Sequence, residues 1–347
     1  MSNTSSMNIS IDLIRASFVL SVMEPYIYVA LYIFGFIGSL LNIFVFLHKR
    51  LRMKSCSIYF LVNSIVDFSY VNFFILMQVI YFFNHQIMLT ITSTNAWCKW
   101  GSYLSFLLPC LGSSYIILAS IDRCCASSLK ETFRKFNRLT ISYILSLFVA
   151  VIWSVFSLHI PISYNRFQQT PTSPIKCTPP AHVIAVFIFI NGYFFALFNG
   201  LISPILLILF GLIIFRNVQL FHRRILPQLL PAAPNSTLTQ TNRHLIRMLF
   251  FQVSLTIFLY IPFIVLYLYG IHHSRPIDDL PLLFYQIFIY IARWFWALNY
   301  CKTFYVNMFF SRTFRHILRR RFLQLSISNH QPNVPDSSSS ESTDSST

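Results

Sequence analysis

The chain has 347 residues, of which 55% are hydrophobic and 17% aromatic, while Asp, Glu, Lys and Arg together make up 10%. An ordinary soluble domain carries about 25% charged residues, so this chain has too few charges to cover a globule in water. Its mean hydropathy of +0.61 also indicates apolar surroundings. The composition therefore predicts an integral membrane protein and argues against soluble enzymes and fibrous proteins.

Seven apolar runs reach the length of about 18 residues that a membrane-spanning helix needs. Five carry no charge, one contains Asp67, and the last contains Arg293 and Lys302. In chain order the runs are 25–47, 57–83, 100–121, 139–160, 182–215, 248–269 and 282–310. They do not alternate apolar and polar residues as membrane-barrel strands do, whereas helices satisfy their own backbone in lipid. The sequence predicts an all-α membrane protein, a bundle of seven transmembrane helices.

Lys and Arg are distributed unevenly between the two sides of this bundle. If the amino terminus lies outside, 19 of the 26 fall in inner segments, five fall in outer segments and two lie within the last run. The positive-inside rule then predicts an extracellular amino terminus and a cytoplasmic carboxyl terminus. Basic inner loops also suit anionic membrane lipids. No soluble domain is left to bind nucleic acid, the other usual meaning of a pI near 9.7.

This topology divides the chain into four parts: an extracellular amino-terminal segment (1–24), a seven-helix domain (25–310), a short amphipathic eighth helix (311–325) and a disordered, Ser-rich cytoplasmic tail (326–347). Asn3 and Asn8 each begin an Asn-x-Ser motif on the outer side. We expect both to be glycosylated, although motifs this short also occur by chance. The eighth helix carries apolar residues on one face and arginines around the other, the pattern of a helix that lies on a membrane surface.

Topology also sorts the seven cysteines, and it leaves Cys98 and Cys177 as the two that face outward. Cysteine pairs in an oxidising compartment form disulfides, so we expect a disulfide between them, with two free thiols as the alternative. This disulfide would tie the outer end of the third helix to the loop between the fourth and fifth helices.

The sequence Asp122-Arg123-Cys124 follows Cys98 by 24 residues, at the inner end of the third span. Further motif positions occur in order along the chain: Gly38 and Asn42, Leu61 to Asp67, Trp153, Pro204, Pro262 and Phe314-Arg315. In this order, the chain resembles the rhodopsin-like (class A) G-protein-coupled receptors over about residues 25–322. The resemblance implies a plasma-membrane receptor that binds an extracellular ligand and activates a heterotrimeric G protein. It also implies a receptor kinase and arrestin acting on the Ser-rich tail. The spans contain no catalytic set of residues and no Cys or His cluster with metal-ligand spacing, so we expect no cofactor, no metal and no enzymatic activity.

The resemblance assigns residues that would switch the receptor. Asp122 would hold Arg123 in the resting state and release it to the G protein. Pro262 would kink the sixth helix, and Tyr260 replaces a Trp that pivots there in relatives. No acid stands at the base of the sixth helix, so the resting lock is expected to be weak. The alternatives are an inert basic rim around Arg123 and a tyrosine that only packs.

A carboxylate within a bilayer is costly and marks a functional position. By the resemblance, Asp67 would bind sodium or water together with Ser113, Asn299 and Thr303. An equally open alternative is that Asp67 is protonated or paired with Lys302 and only fastens two helices.

By the same resemblance, five residues are expected to line an outer ligand pocket: Ser105, Tyr260, Tyr290, Arg293 and Trp294. Arg293 among aromatic side chains suits a carboxylate, such as a peptide carboxy terminus or an organic acid. Its alternatives are a salt bridge to Asp278, Asp279 or Glu24, and snorkelling to the surface. Ser105 stands where amine receptors carry an Asp, which argues against a biogenic amine ligand.

The seventh helix departs from the family, because Thr303-Phe304-Tyr305-Val306-Asn307 replaces its Asn-Pro-x-x-Tyr motif. A non-signalling decoy receptor is therefore one alternative function. Another is a membrane transporter or channel, in which Asp67, Arg293 and Lys302 would mark a permeation path. Transporters often contain internal repeats, and none is found in this sequence.

Overall fold

A computed structural model describes residues 2–128, 131–134, 138–167, 176–224, 237–272 and 279–328. Within these ranges, seven helices are long and apolar enough to cross a membrane. Their spanning parts are Ile14–Phe46, Ser55–Phe83, Trp97–Ser127, Leu139–Ser163, Ile184–Asn217, Phe250–Ile271 and Pro281–Cys301. The expected helical architecture with seven helices of spanning length is confirmed, and the chain has the structure of a multi-pass membrane protein.

The first four long helices run from the amino terminus to residue 163. Helix α1 is Ser2–Phe46. Helix α2 (Ser55–Phe83) consists of Ser55–Tyr70, the π-helical segment Val71–Ile75 and Leu76–Phe83. Helix α3 (Trp97–Ser127) begins with the π-helical turn Trp97–Gly101 and continues as Ser102–Ser127. Helix α4 (Leu139–Ser163) consists of Leu139–Ser157 and His159–Ser163.

The remaining helices complete the bundle. Helix α5 (184–224) comprises Ile184–Phe187, Phe195–Leu197 and Ser203–Arg224, separated by the π-helical segments Ile188–Phe194 and Phe198–Ile202. Helix α6 is Thr237–His272. Helix α7 (279–310) consists of Asp279–Cys301 and Thr303–Phe310, with a break at Lys302. Helix α8 is Arg312–Ser328. Shorter helical segments are Lys49–Arg52, His85–Thr92, Glu131–Arg134 and the 3-10 turn Ala181–Val183.

Helix α1 begins well before Pro25, where the first span was expected to start. Pro25 removes one backbone hydrogen bond, but the residues before it include an apolar stretch from Ile14 that continues the helix. The segment 1–24, which was expected to lie outside the seven-helix domain, is thus helical from Ser2 onwards and continuous with the first span. Asn3 and Asn8 fall in this part of α1, and their glycosylation stays a prediction.

A two-stranded antiparallel hairpin covers one end of the bundle. Its strands are β1 (Asn165–Phe167) and β2 (Lys176–Thr178), with Arg166 opposite Cys177. A disulfide joins Cys177 to Cys98 at the start of α3, and their Cα atoms are 5.5 Å apart. The strands are a small addition to the all-α fold that was expected. We call this end of the bundle the disulfide end, and the opposite end, where α3 carries Arg123, the Arg123 end.

Helix α3 is the centre of the bundle, and α4 lies at its edge. In the most apolar part of each helix, 78% of the α3 residues are buried but only 11% of the α4 residues. The outward face of α4 exposes large apolar side chains, among them Ile144, Leu147, Phe148 and Val155. Monomeric soluble proteins rarely leave apolar surfaces of this extent exposed. The interior instead holds buried polar residues, so the functional groups lie between the helices.

Two glycines differ in how closely neighbouring helices pack against them, and substitutions there are expected to have opposite effects on stability. A Cβ added at Gly35 of α1 would lie 2.7 Å from Cys301 Sγ and 3.0 Å from Val71 Cγ2, whereas one added at Gly211 of α5 would meet nothing within 4 Å. We expect Gly35→Ala to lower the free energy of unfolding by about 1–3 kcal/mol because the helices must separate. Gly211→Ala should raise it by about 0.5–1 kcal/mol, the gain in helix propensity. Unfolding in mixed micelles with increasing SDS measures both changes. If the free energy of unfolding changed in the same direction in both variants, the close α1–α7 contact would be contradicted.

Candidate functional site

A cavity of about 350 Å³ lies between the helices toward the disulfide end. All seven long helices contribute to its lining, from Tyr28 of α1 to Ala297 of α7. This volume is at the lower end of the range found for small-molecule sites, roughly 300–1,000 Å³. The cavity can therefore accept a small organic molecule or the end of a peptide.

Of the five expected pocket residues, two line the cavity in the described part of the structure. Ser105 and Arg293 line the cavity, whereas Tyr260, Tyr290 and Trp294 are not among the described residues that line it. Residues three and four positions apart share one face of a helix. The face that carries Arg293 therefore presents Trp296 and Ala297 to the cavity, and Trp294 lies on another face. Trp296 was expected among the aromatic residues around Arg293 but was not assigned to the pocket, although its spacing of three residues from Arg293 could have identified it as a lining residue.

Arg293 also has an acidic neighbour. Its Nη1 atom lies 3.7 Å from Oε1 of Glu24 on α1. The Arg293 side chain is 37% exposed and the Glu24 side chain 9%. Of the other acids considered as partners, Asp278 lies outside the described residues and the side chain of Asp279 is not described. Arg293 thus has one of its expected acid partners and also reaches the cavity.

The floor of the cavity is a layer of stacked aromatic rings. Trp296 stacks on Tyr260, with 4.8 Å between ring centroids, and its Nε1 donates to the hydroxyl of Tyr70 at 2.7 Å. Tyr70 in turn stacks on Tyr300 at 3.6 Å. The hydroxyls of Tyr260 and Tyr300 are 3.5 Å apart. This aromatic layer joins α2, α6 and α7, so a ligand resting on Trp296 would contact the pivot position in α6 through one ring.

Below the aromatic layer, Asp67 is buried and ties helices together. Its Oδ2 accepts hydrogen bonds from Thr303 Oγ1 at 2.7 Å and from Asn63 Nδ2 at 3.1 Å. Gln252 of α6, which is fully buried, donates from Nε2 to Thr303 Oγ1 at 3.3 Å. One threonine hydroxyl therefore connects α2, α6 and α7. Gln252 was not expected at this site, but a lone glutamine in an apolar span was a signal that the sequence offered.

The other residues expected around Asp67 bind elsewhere. Ser113 donates to Asn199 Oδ1 of α5 at 2.7 Å, and Asn299 accepts hydrogen bonds from the Lys302 ammonium. No ion pair joins Asp67 and Lys302 among the described residues. Of the proposed set, Thr303 alone contacts the carboxylate directly. The geometry favours the helix-fastening role of Asp67, and sodium binding stays a prediction.

A second polar contact fastens α1 to the same region. Asn42 of α1 donates from Nδ2 to Ser64 Oγ of α2 at 2.5 Å, and its Oδ1 accepts from Asn307 Nδ2 of α7 at 2.9 Å. Asn42, Ser64 and Asn307 are fully buried. Buried polar groups are costly unless they are paired, so these bonds fix the relative positions of α1, α2 and α7 above the Arg123 end.

At the Arg123 end, an ion pair forms within α3. Arg123 Nη2 lies 3.0 Å from Asp122 Oδ2, and both side chains are buried. Ser55 of α2 donates to the other carboxylate oxygen, Oδ1. Asp122 is the acid paired with Arg123 in the part of the chain that the structure describes, while the side chains of 237–249 at the start of α6 are not described. The guanidinium is therefore held by its neighbour, and Arg123 Nε has no partner among the described residues.

Helix α8 packs on this end of the bundle. Phe314 and Ile317 are buried, and Phe314 meets Phe46 of α1 with ring centroids 5.7 Å apart. Arg315 donates to the carbonyl oxygens of Met308 and Phe309 at the end of α7, at 3.0 and 2.6 Å. These contacts fix the start of α8, which extends to Ser328 instead of the expected residue 325.

Within the described residues, no group of three or more His, Cys, Asp or Glu side chains could hold a metal ion. No protein-family model matches this sequence, and no curated protein matches it either. A functional interpretation of the chain must therefore be based on its own residues and their geometry.

Proposed function

We propose that this protein is a G-protein-coupled receptor of the rhodopsin-like type. It resides in the plasma membrane, with its amino terminus and disulfide end outside and its Arg123 end in the cytoplasm. The distribution of Lys and Arg supports this orientation, because most of them fall on the cytoplasmic side. The order of motif positions along the seven spans supports the family.

One observation carries the proposal: α3 joins the two ends that a receptor must connect. Its first turn carries Cys98 of the disulfide, and its next turns line the cavity with Ser102, Ser105 and Phe106. The buried Asp122–Arg123 pair lies one turn before its other end. A buried ion pair stabilises a fold weakly and is a recurrent element of switches. This arrangement favours a role in signalling over a role in stability.

The aromatic layer suggests how a ligand bound in the cavity could change the structure at the Arg123 end. A ligand on Trp296 would contact Tyr260 through the Trp296 ring, and Tyr260 lies two residues before Pro262. Pro262 has no backbone N–H to donate within α6, so it is the point at which the helix can bend. A shift of α6 away from α3 would uncover Arg123 for the G protein. The ligand drives the shift by binding the open state more tightly than the closed one.

The altered motif of α7 does not leave this helix without polar contacts. Thr303 bonds to Asp67 and Gln252, and Asn307 bonds to Asn42. These contacts occupy the region where relatives use the Asn-Pro-x-x-Tyr residues. They support a coupled receptor over a decoy. A transporter is less well supported, because of Asp67, Arg293 and Lys302 only Arg293 is among the described cavity-lining residues.

The charges of α8 and of the tail indicate which partners the protein has on the cytoplasmic side. Arg312, Arg319 and Arg320 of α8 are exposed, and we propose that they contact anionic lipid headgroups. The Ser-rich tail, which lies outside the described residues, would recruit arrestin after phosphorylation by a receptor kinase. Each phosphate adds about −1.5 to −2 charges.

Signalling in cells tests the proposal. Cells would express the parent, Arg123→Ala and Arg138→Ala at equal surface levels, and G-protein activation would be measured without ligand and then with peptides and organic acids. Arg138 is a control because it is an exposed basic residue at the start of α4, close to the same membrane face. We expect activity above that of mock-transfected cells in the parent and in Arg138→Ala, and its loss in Arg123→Ala. Equal activity in the parent and Arg123→Ala would contradict the proposed role of Arg123.

A further inference from the structure

The charge of the cavity indicates what it binds. Among the described residues that line it, Arg293 is the one that carries a charge, and no Asp or Glu lines it. A ligand cation placed beside Arg293 would be repelled by it, whereas a ligand anion would be attracted. The lining therefore selects against an ammonium group and favours a negative group placed at Arg293.

Glu24 lies close to Arg293 but is not among the described residues that line the cavity. The separation of 3.7 Å between Nη1 and Oε1 is too long for a hydrogen bond. A guanidinium has five N–H donors and can bind a carboxylate through two of them. Glu24 thus lowers the net charge near Arg293 without forming a hydrogen bond to it, and Arg293 itself lines the cavity.

The walls define the rest of the ligand. Phe106, Phe195, Phe263 and Trp296 present aromatic surface, and Ser102 and Gln78 supply polar groups. Flat aromatic bodies pack well against such rings. The cavity of about 350 Å³ is too small for a long peptide.

We propose that the ligand of this cavity is a small aromatic monocarboxylate, whose carboxylate binds Arg293 in competition with Glu24. The inference rests on the proposed receptor function and names its ligand class. Its distinguishing consequence is a difference in sign between two substitutions. Arg293→Gln removes the cation and weakens carboxylate binding, whereas Glu24→Gln removes the competing acid and strengthens it. A pair that only braced α1 against α7 would give changes of the same sign.

Direct binding to the full-length protein in phosphatidylcholine nanodiscs tests this inference. The probes are radiolabelled indole-3-propionate, its amide indole-3-propionamide, and tryptamine, which share one ring system and differ in charge. The variants are Arg293→Gln, Glu24→Gln and the control Lys99→Gln, which removes a cation at the same end of the bundle outside the cavity lining. These variants separate a direct contact with Arg293 from a general electrostatic effect of positive charge at this end of the bundle.

We expect the parent to bind indole-3-propionate saturably, with the amide and tryptamine at least about tenfold weaker, equivalent to about 1.4 kcal/mol. Arg293→Gln should weaken carboxylate binding about tenfold or more, Glu24→Gln should strengthen it several-fold, and Lys99→Gln should change it less than about twofold. The inference is overturned if the carboxylate shows no saturable binding up to about 1 mM. Equal affinity for the amide, or changes of the same sign in Arg293→Gln and Glu24→Gln, would also overturn it.

The same measurement on Arg123→Ala separates this inference from the receptor proposal. Arg123 lies at the opposite end of α3, so carboxylate binding to this variant should stay within about threefold of the parent. Carboxylate binding without G-protein activation would leave the site intact and reject the receptor. G-protein activation without carboxylate binding would overturn the carboxylate site and leave the receptor proposal standing.

Discussion

Replacing Trp296 with Ala is expected to lower the free energy of unfolding by about 3–5 kcal/mol. The Trp296 ring is 6% exposed, stacks on Tyr260 and lies 4.3 Å from the Phe263 ring between centroids. Hydrophobic transfer from water does not drive helix association within a bilayer, so the loss comes from contacts across the new void. The hydroxyl of Tyr70 also loses its donor.

Two further variants separate the terms of this prediction. Trp296→Phe keeps a ring and removes only the hydrogen bond, so we expect a loss of about 1 kcal/mol. Trp100→Ala removes a ring that is 55% exposed and meets Tyr103 edge-on, so its effect should be below about 1 kcal/mol. Unfolding in SDS-containing micelles measures all three. A loss for Trp296→Ala no greater than that for Trp100→Ala would contradict the aromatic layer as a structural centre.

Replacing Thr303 with Val is expected to lower the free energy of unfolding by about 2–4 kcal/mol, because one buried hydroxyl serves two partners. Asp67 would lose a donor and Gln252 would lose an acceptor, while the side-chain shape is nearly unchanged. The same change removes the hydrogen bond from Gln252 of α6 to Thr303 of α7, so ligand-independent G-protein activation should rise above that of the parent.

Thr256→Val is the matched control for this change. Thr256 is also buried in α6, but its hydroxyl donates only to the backbone oxygen of Gln252, one turn earlier in the same helix. We expect a loss below about 1 kcal/mol and unchanged basal activity. If Thr303→Val and Thr256→Val behaved alike in both measurements, the proposed tie between α6 and α7 would be wrong.

The seven spans could be predicted from the sequence because each is a long apolar run, and lipid requires that such runs be helical. Their boundaries were less certain. The apolar stretch from Ile14 extended α1 across Pro25, and the last run, expected to be continuous, breaks at Lys302. The Lys302 side chain donates back to Asn299 at this break. Such local side-chain bonding is not visible in hydropathy.

The candidate site could be predicted only in part, because side-chain direction depends on how each helix is rotated. Spacing along the chain placed Asp122 beside Arg123, and the structure pairs them. The rotation of α3 turns Ser113 toward Asn199 and away from Asp67. Sequence distance alone could not have shown this, because the partner of Ser113 lies on another helix.

We propose that α3 connects a ligand cavity to a G-protein site at Arg123. Guanine-nucleotide exchange on purified heterotrimeric G proteins tests it most directly. The parent, Arg123→Ala and Arg138→Ala would each be reconstituted in nanodiscs and compared with empty nanodiscs. We expect faster exchange with the parent and Arg138→Ala on at least one G-protein class, and the empty-nanodisc rate with Arg123→Ala. A parent rate equal to that of empty nanodiscs for every G-protein class, or an undiminished rate with Arg123→Ala, would contradict it.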